Sequence, residues 1–218
     1  MCGVVGISGV ENAAQQAFLA MYALQHRGQE AGGIVAFDGE DGRLHKGSGL
    51  VSEIFDPESL KGLRGNTAIG HVRYSTAGGS DPANIQPITA RYRLGELALA
   101  HNGNLTNQRA LRTSLVEDGA IFSSSSDSET LVHLMAKSRA KTVDDQVMDA
   151  LSHLVGAFSM ALVVRGKLYA ARDPRGFRPL ILGRKGNGHV VVSETCALDI
   201  LGATYLRDLE PGEVVRIE

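Results

Sequence analysis

The chain has no tryptophan, and aromatic residues make up only 5% of it. Its core must therefore be filled by Leu, Val, Ile and Ala. Cysteine is almost as scarce, with Cys2 and Cys196 alone among 218 residues. Two cysteines exclude a disulfide scaffold, and neither belongs to a Cys-x-x-Cys pair, so no zinc or iron–sulfur site is expected. Charge of one sign is lacking too. The net charge is −2 with acidic and basic residues interspersed, leaving no basic stripe for nucleic acid and no polybasic helix for a membrane surface. The longest apolar run, residues 157–164, is interrupted by Ser159 and is far too short to span a bilayer. The N-terminus carries neither a basic n-region nor an apolar h-region, which argues against a signal peptide and makes the cytoplasm the expected compartment.

What is present is glycine, 26 of them, separating short β-type runs. Strands are predicted over 4–8, 33–37, 68–72, 97–101, 158–164, 168–171, 180–182, 190–193 and 214–217. The tight connections Arg165-Gly166-Lys167 and Lys185-Gly186-Asn187-Gly188 favour antiparallel hairpins. Helices are predicted over 13–26, with Asn12 as N-cap and Gly28 past the end, over 106–118, stopping at Gly119, over 126–140, and over 142–154. Ser126-Asp127-Ser128-Glu129 has the spacing of a capping box. Strand clusters alternate with helix pairs, which indicates an α+β fold with antiparallel sheets and helices on their outer faces. The length suits one domain, 1–218, and no internal repeat is visible.

The chemistry concentrates at the start. Gly3 and the small Cys2 side chain permit removal of Met1, which would leave Cys2 with a free α-amine beside its thiol. Such an amine has a reference pKa of roughly 7.7–8.0, so one residue carries both nucleophile and general base. Alone, Cys2 reads more readily as a small buried hydrophobe near a strand end. Four further segments change the balance. In Gly70-His71-Val72-Arg73-Tyr74-Ser75-Thr76, His71 and Arg73 share one face of a strand, and Arg73 can grip a carboxylate with two hydrogen bonds or serve as a surface ion-pair partner. In His101-Asn102-Gly103-Asn104, the Asn102 side chain and the Gly103 N–H can form an oxyanion hole, although Asn-Gly is also a turn signal. Asp127 can bind an ammonium group; taken alone, complementing the helix dipole is the simpler role. Arg27, after a helix end, either supports the terminal backbone or faces the helix C-terminus. Together these groups fit an α-amino acid whose side-chain amide is cleaved by acyl transfer.

These segments, with Cys2-Gly3-Val4-Val5-Gly6, resemble the class II glutamine amidotransferase family, a branch of the N-terminal nucleophile hydrolases. Leu24-Gln25-His26-Arg27-Gly28-Gln29-Glu30-Ala31 and Asp173-Pro174-Arg175-Gly176-Phe177-Arg178-Pro179-Leu180 favour the amidophosphoribosyltransferase branch. The resemblance implies a four-layer α-β-β-α sandwich of two antiparallel sheets. It implies L-glutamine as substrate, Cys2 as nucleophile, Asn102 and Gly103 at the oxyanion, Arg73 and Thr76 at the α-carboxylate, and Asp127 at the α-ammonium. Arg27 and His71 would support the site, and Tyr74 would lie where ammonia leaves toward a synthase partner. No phosphoribosyltransferase loop follows: Asp144-Asp145 lie in a helical pattern, and the chain stops near where that domain is expected to begin. A phosphoribosyltransferase domain or subunit is thus the implied ammonia acceptor. No cofactor or metal is implied for 1–218, and magnesium only for the acceptor. The resemblance leaves room for a homo-oligomer. Cleavage of another amide, a catalytically silent regulatory module, and a cysteine–histidine dyad through His71 or His101 are the alternatives. Cys196 is assigned to core packing at the start of a short helix.

Overall fold

The computed structural model describes residues 1–74 and 81–217. The strands are β1 (Gly3–Ser8), β2 (Ala31–Asp38), β3 (Asp41–Ser48), β4 (Thr67–Arg73), β5 (Ile88–Tyr92), β6 (Gly95–Leu105), β7 (Gly156–Val164), β8 (Lys167–Arg172), β9 (Ile181–Lys185), β10 (Gly188–Val192), β11 (Thr204–Asp208) and β12 (Val214–Ile217). The helices are α1 (Ala13–Ala23), α2 (Val51–Ile54), α3 (Pro57–Gly62), α4 (Gln108–Glu117), α5 (Glu129–Lys137), α6 (Val143–Ser152) and α7 (Cys196–Leu201). One sheet has seven strands in the order β11-β9-β10-β1-β4-β2-β3, and the other has five in the order β12-β8-β7-β6-β5. Every pairing is antiparallel.

The strand alternation accounts for the layers. Val5 and Ile7 on β1 and Ala68 and Val72 on β4 face outward to α1 and α7, where Ala13, Ala17, Met21 and Leu198 meet them. Leu97 and Leu99 on β6 and Met160 and Leu162 on β7 face the other way, against Leu131 and Met135 of α5 and Val147 and Leu151 of α6. The residues between them in sequence, Val4, Ile69, Ala98, Ala100, Ala161 and Val163, turn inward and pack sheet against sheet. Ala, Val, Leu and Ile side chains fill most of that inner layer, with Phe37 beside them. The result is the expected four-layer α-β-β-α sandwich.

The hairpin between β7 and β8 turns at Arg165 and Gly166, both at positive φ (50° and 73°), the condition for the tight turn anticipated from the sequence. Three strands and two helices lie outside the sequence expectation. β3 and β5 are sheet edges rich in polar residues, and β11 is exposed throughout, so none shows a clean apolar alternation. Helices α2 and α3 are a single turn or little more.

Two caps differ from expectation. Asn12 adopts a left-handed conformation (φ 54°, ψ 47°) and makes no side-chain cap bond; the Ala13 N–H is taken instead by the Gly65 carbonyl at 3.4 Å. The Ser126–Glu129 capping box does not form. Helix α5 begins only at Glu129, and that carboxylate accepts from the N–H groups of Ser123 (2.7 Å) and Ser124 (2.8 Å), because the preceding loop curls back over the helix start. Cys196 does open α7 and packs against the helical side of the larger sheet.

Candidate active site

One end of the gap between the sheets is open. There, residues that continue the inward-facing rows of β1, β4 and β6 replace apolar with polar side chains. Cys2 stands two residues before inward Val4, His71 and Arg73 follow inward Ile69, and Asn102 and Asn104 follow inward Ala98 and Ala100. A cavity of about 190 Å³ occupies this end, with Cys2, His71, Arg73, Tyr74, Gly103 and Asp127 in its walls. Six positions spread across more than half the chain thus meet in one pocket. Asn102 is 2% exposed, lies between two wall residues, and its side-chain nitrogen has no hydrogen-bond partner. Thr76 lies outside the described residues.

Cys2 is partly exposed, and its Sγ lies 3.7 Å from the Tyr74 carbonyl oxygen. The Tyr74 side chain is 53% exposed at the rim. Arg27 is buried and donates from Nε to the Cys2 carbonyl at 2.9 Å, while its Nη1 pairs with Glu194. Between the two roles left open for Arg27, the contact made is with the terminal backbone.

Gly103 occupies a crowded position. A Cβ there would stand 1.9 Å from the Ala157 carbonyl oxygen and 2.7 Å from His101 Nε2, so β6 can approach β7 at this point only with glycine.

A buried polar network holds Asp127. Its Oδ2 accepts the Leu105 N–H at 2.9 Å, and its Oδ1 accepts the Ser128 hydroxyl at 3.3 Å. Ser128 Oγ in turn lies 2.8 Å from His101 Nδ1 and accepts from Gln86 Nε2 at 3.2 Å, while Gln86 Oε1 accepts the His101 N–H at 2.7 Å. Burial alone would raise the Asp127 pKa. The neighbouring His101 and the hydrogen bonds from Leu105 and Ser128 outweigh it and hold the carboxyl below its usual range, so it is ionised at neutral pH. The carboxylate is therefore committed to β6 and to this network, a larger commitment than the helix-dipole role that sequence alone favoured.

His71 bridges the two sheets, its Nε2 lying 3.0 Å from the His101 carbonyl. Complete burial lowers its pKa to about 4, against the opposing pull of that hydrogen bond, so the ring is neutral at physiological pH.

Several residues in this arrangement escaped the sequence reading. Asn84 ends the 3-10 turn Pro82–Asn84, Gln86 follows it before β5, and Asn84 is paired with Ser125 in both directions. Nothing in their local sequence signals a buried role. Glu194 had a faint signal, a carboxylate just past a predicted strand. Among the described residues, no cluster of His, Cys, Asp and Glu could hold a metal ion, and no helix is long and apolar enough to cross a membrane.

Residues 71–199 match the family model of the glutamine amidotransferase domain. The chain belongs to that family. Over its full length this glutamine amidotransferase domain is 53% identical to amidophosphoribosyltransferase 3, chloroplastic, of Arabidopsis thaliana, covering 41% of that protein. It superposes on a solved structure described as the allosteric regulatory enzyme of purine biosynthesis with a TM-score of 0.95, at 49% identity, over 99% of this chain and 46% of that one. The glutamine phosphoribosylpyrophosphate amidotransferase of B. subtilis, solved with ADP and GMP, gives a TM-score of 0.93 at 48% identity over 99% of this chain and 47% of that one. The domain is amidophosphoribosyltransferase-like, and the chain spans 38–47% of the length of the curated amidophosphoribosyltransferases it matches.

Proposed function

We propose that the domain hydrolyses L-glutamine to glutamate and ammonia through a thioester on Cys2, and that in its full context it supplies ammonia to a phosphoribosyltransferase part in purine biosynthesis. The observation that carries the reading is the meeting, at one open end of the inter-sheet gap, of a thiol, a buried arginine and a carboxylate held ionised. These are the groups needed to recognise both ends of a free amino acid and attack its side chain.

Cys2 is a small second residue, the condition for removal of Met1, which would give Cys2 a free amine. In the proposed reaction the Cys2 thiol passes its proton to that amine as Sγ bonds to the carboxamide carbon. The Gly103 N–H and Asn102 side chain stabilise the oxyanion; the unpartnered Asn102 nitrogen is a donor in waiting. The amine returns the proton to the departing ammonia. Water, deprotonated by the same amine, then attacks the thioester and releases glutamate. Arg73 and Thr76 bind the α-carboxylate, Asp127 binds the α-ammonium, Arg27 and His71 support the site, and Tyr74 stands at the exit. Domain limits of 1–218, with the phosphoribosyltransferase outside them, agree with a chain that aligns to 41–47% of its relatives. The chemistry asks for a compartment that keeps thiols reduced, and the cytoplasm meets that need.

The test is mass spectrometry after treatment with a diazoketone analogue of glutamine. Protein lacking Met1 should carry one adduct, on Cys2. An adduct on Cys196, or labelling at equal rate with Met1 retained, would overturn the mechanism.

A further inference from the structure

We infer that Glu194 is a positioning residue for the nucleophile, acting on Cys2 through Arg27; the inference rests on the glutaminase reading above. Strand β1 begins at Gly3, so Cys2 lies outside the ladder. Once Met1 is removed, Cys2 is tethered on one side only, and what fixes its carbonyl fixes the direction of its thiol and amine. That anchor is Arg27 Nε, 2.9 Å from the Cys2 carbonyl oxygen.

The anchor itself needs holding. The Arg27 side chain is only 3% exposed, and a buried guanidinium without a counter-charge is costly. Glu194 supplies the counter-charge from its Oε1 to Arg27 Nη1, while its Oε2 lies 3.0 Å from His26 Nε2. Burial opposes the charge on Glu194, but Arg27 and His26 outweigh it and keep the carboxyl ionised. The residue before it completes the clamp. Ser193 Oγ accepts the Val4 N–H at 2.9 Å, and the Ser193 N–H donates to the Val4 carbonyl at 3.1 Å. The dipeptide Ser193-Glu194 therefore fixes the start of β1 directly and the Cys2 carbonyl through Arg27. Glu194 does not line the cavity, and its partners do not include Arg73 or Asp127. Its removal should disturb the attack more than the binding.

The experiment compares the Met1-free chain with its Glu194→Ala, Glu194→Gln and Glu194→Asp variants, using the diazoketone glutamine analogue and separating the limiting rate of Cys2 alkylation from the half-saturating concentration. The limiting rate is expected to fall about tenfold in Glu194→Ala, the scale of a small displacement of a reacting group. The half-saturating concentration should stay within about twofold. Glu194→Gln, which keeps an oxygen for Arg27 and is read instead if the alanine variant does not fold, should lose less. Unchanged alkylation rates in all three variants, or a loss confined to half-saturation, would overturn the inference while leaving the glutaminase reading intact. A wild-type chain that is not alkylated at Cys2 would overturn both.

Discussion

At the scale of single residues, the site depends on which groups are kept charged and which are not. Asp127 is half-buried but accepts hydrogen bonds from several directions and stays ionised. His71 is buried with little to favour a proton and stays neutral. A neutral His71 whose Nε2 serves the opposite sheet is a poor partner for a cysteine–histidine ion pair, and this favours the terminal amine as the base. The His71 ring should remain unprotonated from pH 8 down to about 5 when histidine ring protons are followed by NMR. Its lowered pKa also bears on stability. In the unfolded chain the ring takes a proton near pH 6.5, whereas in the folded chain it does so only near 4. Between these values the unfolded state binds more protons, so the contribution is complete above about 6.5 and is lost as pH falls toward 4. His71→Asn, compared with wild type by thermal melts over that range, should show a shallower loss on acidification.

At the scale of elements, the β-strands that carry the site were mostly legible, and their caps and edges were not. β1, β4, β6 and β10 are apolar on both faces because each is covered on both, and such runs stand out in sequence. The edge strands β3, β5 and β11 expose polar residues and look like loops. The capping-box spacing at 126–129 was a true local preference overridden by tertiary contacts, with Glu129 given to the loop residues Ser123 and Ser124. Helix α6 is the opposite case. Thr142 caps it by accepting the Asp145 N–H at 3.1 Å, as its sequence position suggests. Thr142→Ala should cost about 1 kcal/mol in urea unfolding, with the rate of Cys2 alkylation unchanged, because α6 contributes nothing to the cavity walls.

At the scale of the whole molecule, the sandwich works as a clamp. Its apolar inner side chains pack the sheets together along their length, and polar residues line a pocket at one end. Leu168 is fully buried in this inner layer, and its methyl groups lie close to Gly6 of β1. Leu168→Ala should lower unfolding free energy by about 2–5 kcal/mol, measured by chemical denaturation. Because β1 rests on that contact, the same variant should also slow Cys2 alkylation, by loosening the strand that leads from Cys2.

The α+β class and, through its motifs, the family were readable from residue order alone, and the same motifs singled out Cys2, Arg73 and Asp127 as the residues proposed for the chemistry. Those features are local: a residue type in a short motif is visible wherever the chain goes. What surrounds them depends on contacts between distant elements. Ser128 and His101 contact Asp127 and are themselves held by Gln86, and Glu194 reaches Arg27 from 167 positions away, through contacts between elements that no local pattern encodes. Two antiparallel sheets facing each other bring such distant residues together, and a buried charge there persists only where another part of the chain arrives to pair with it.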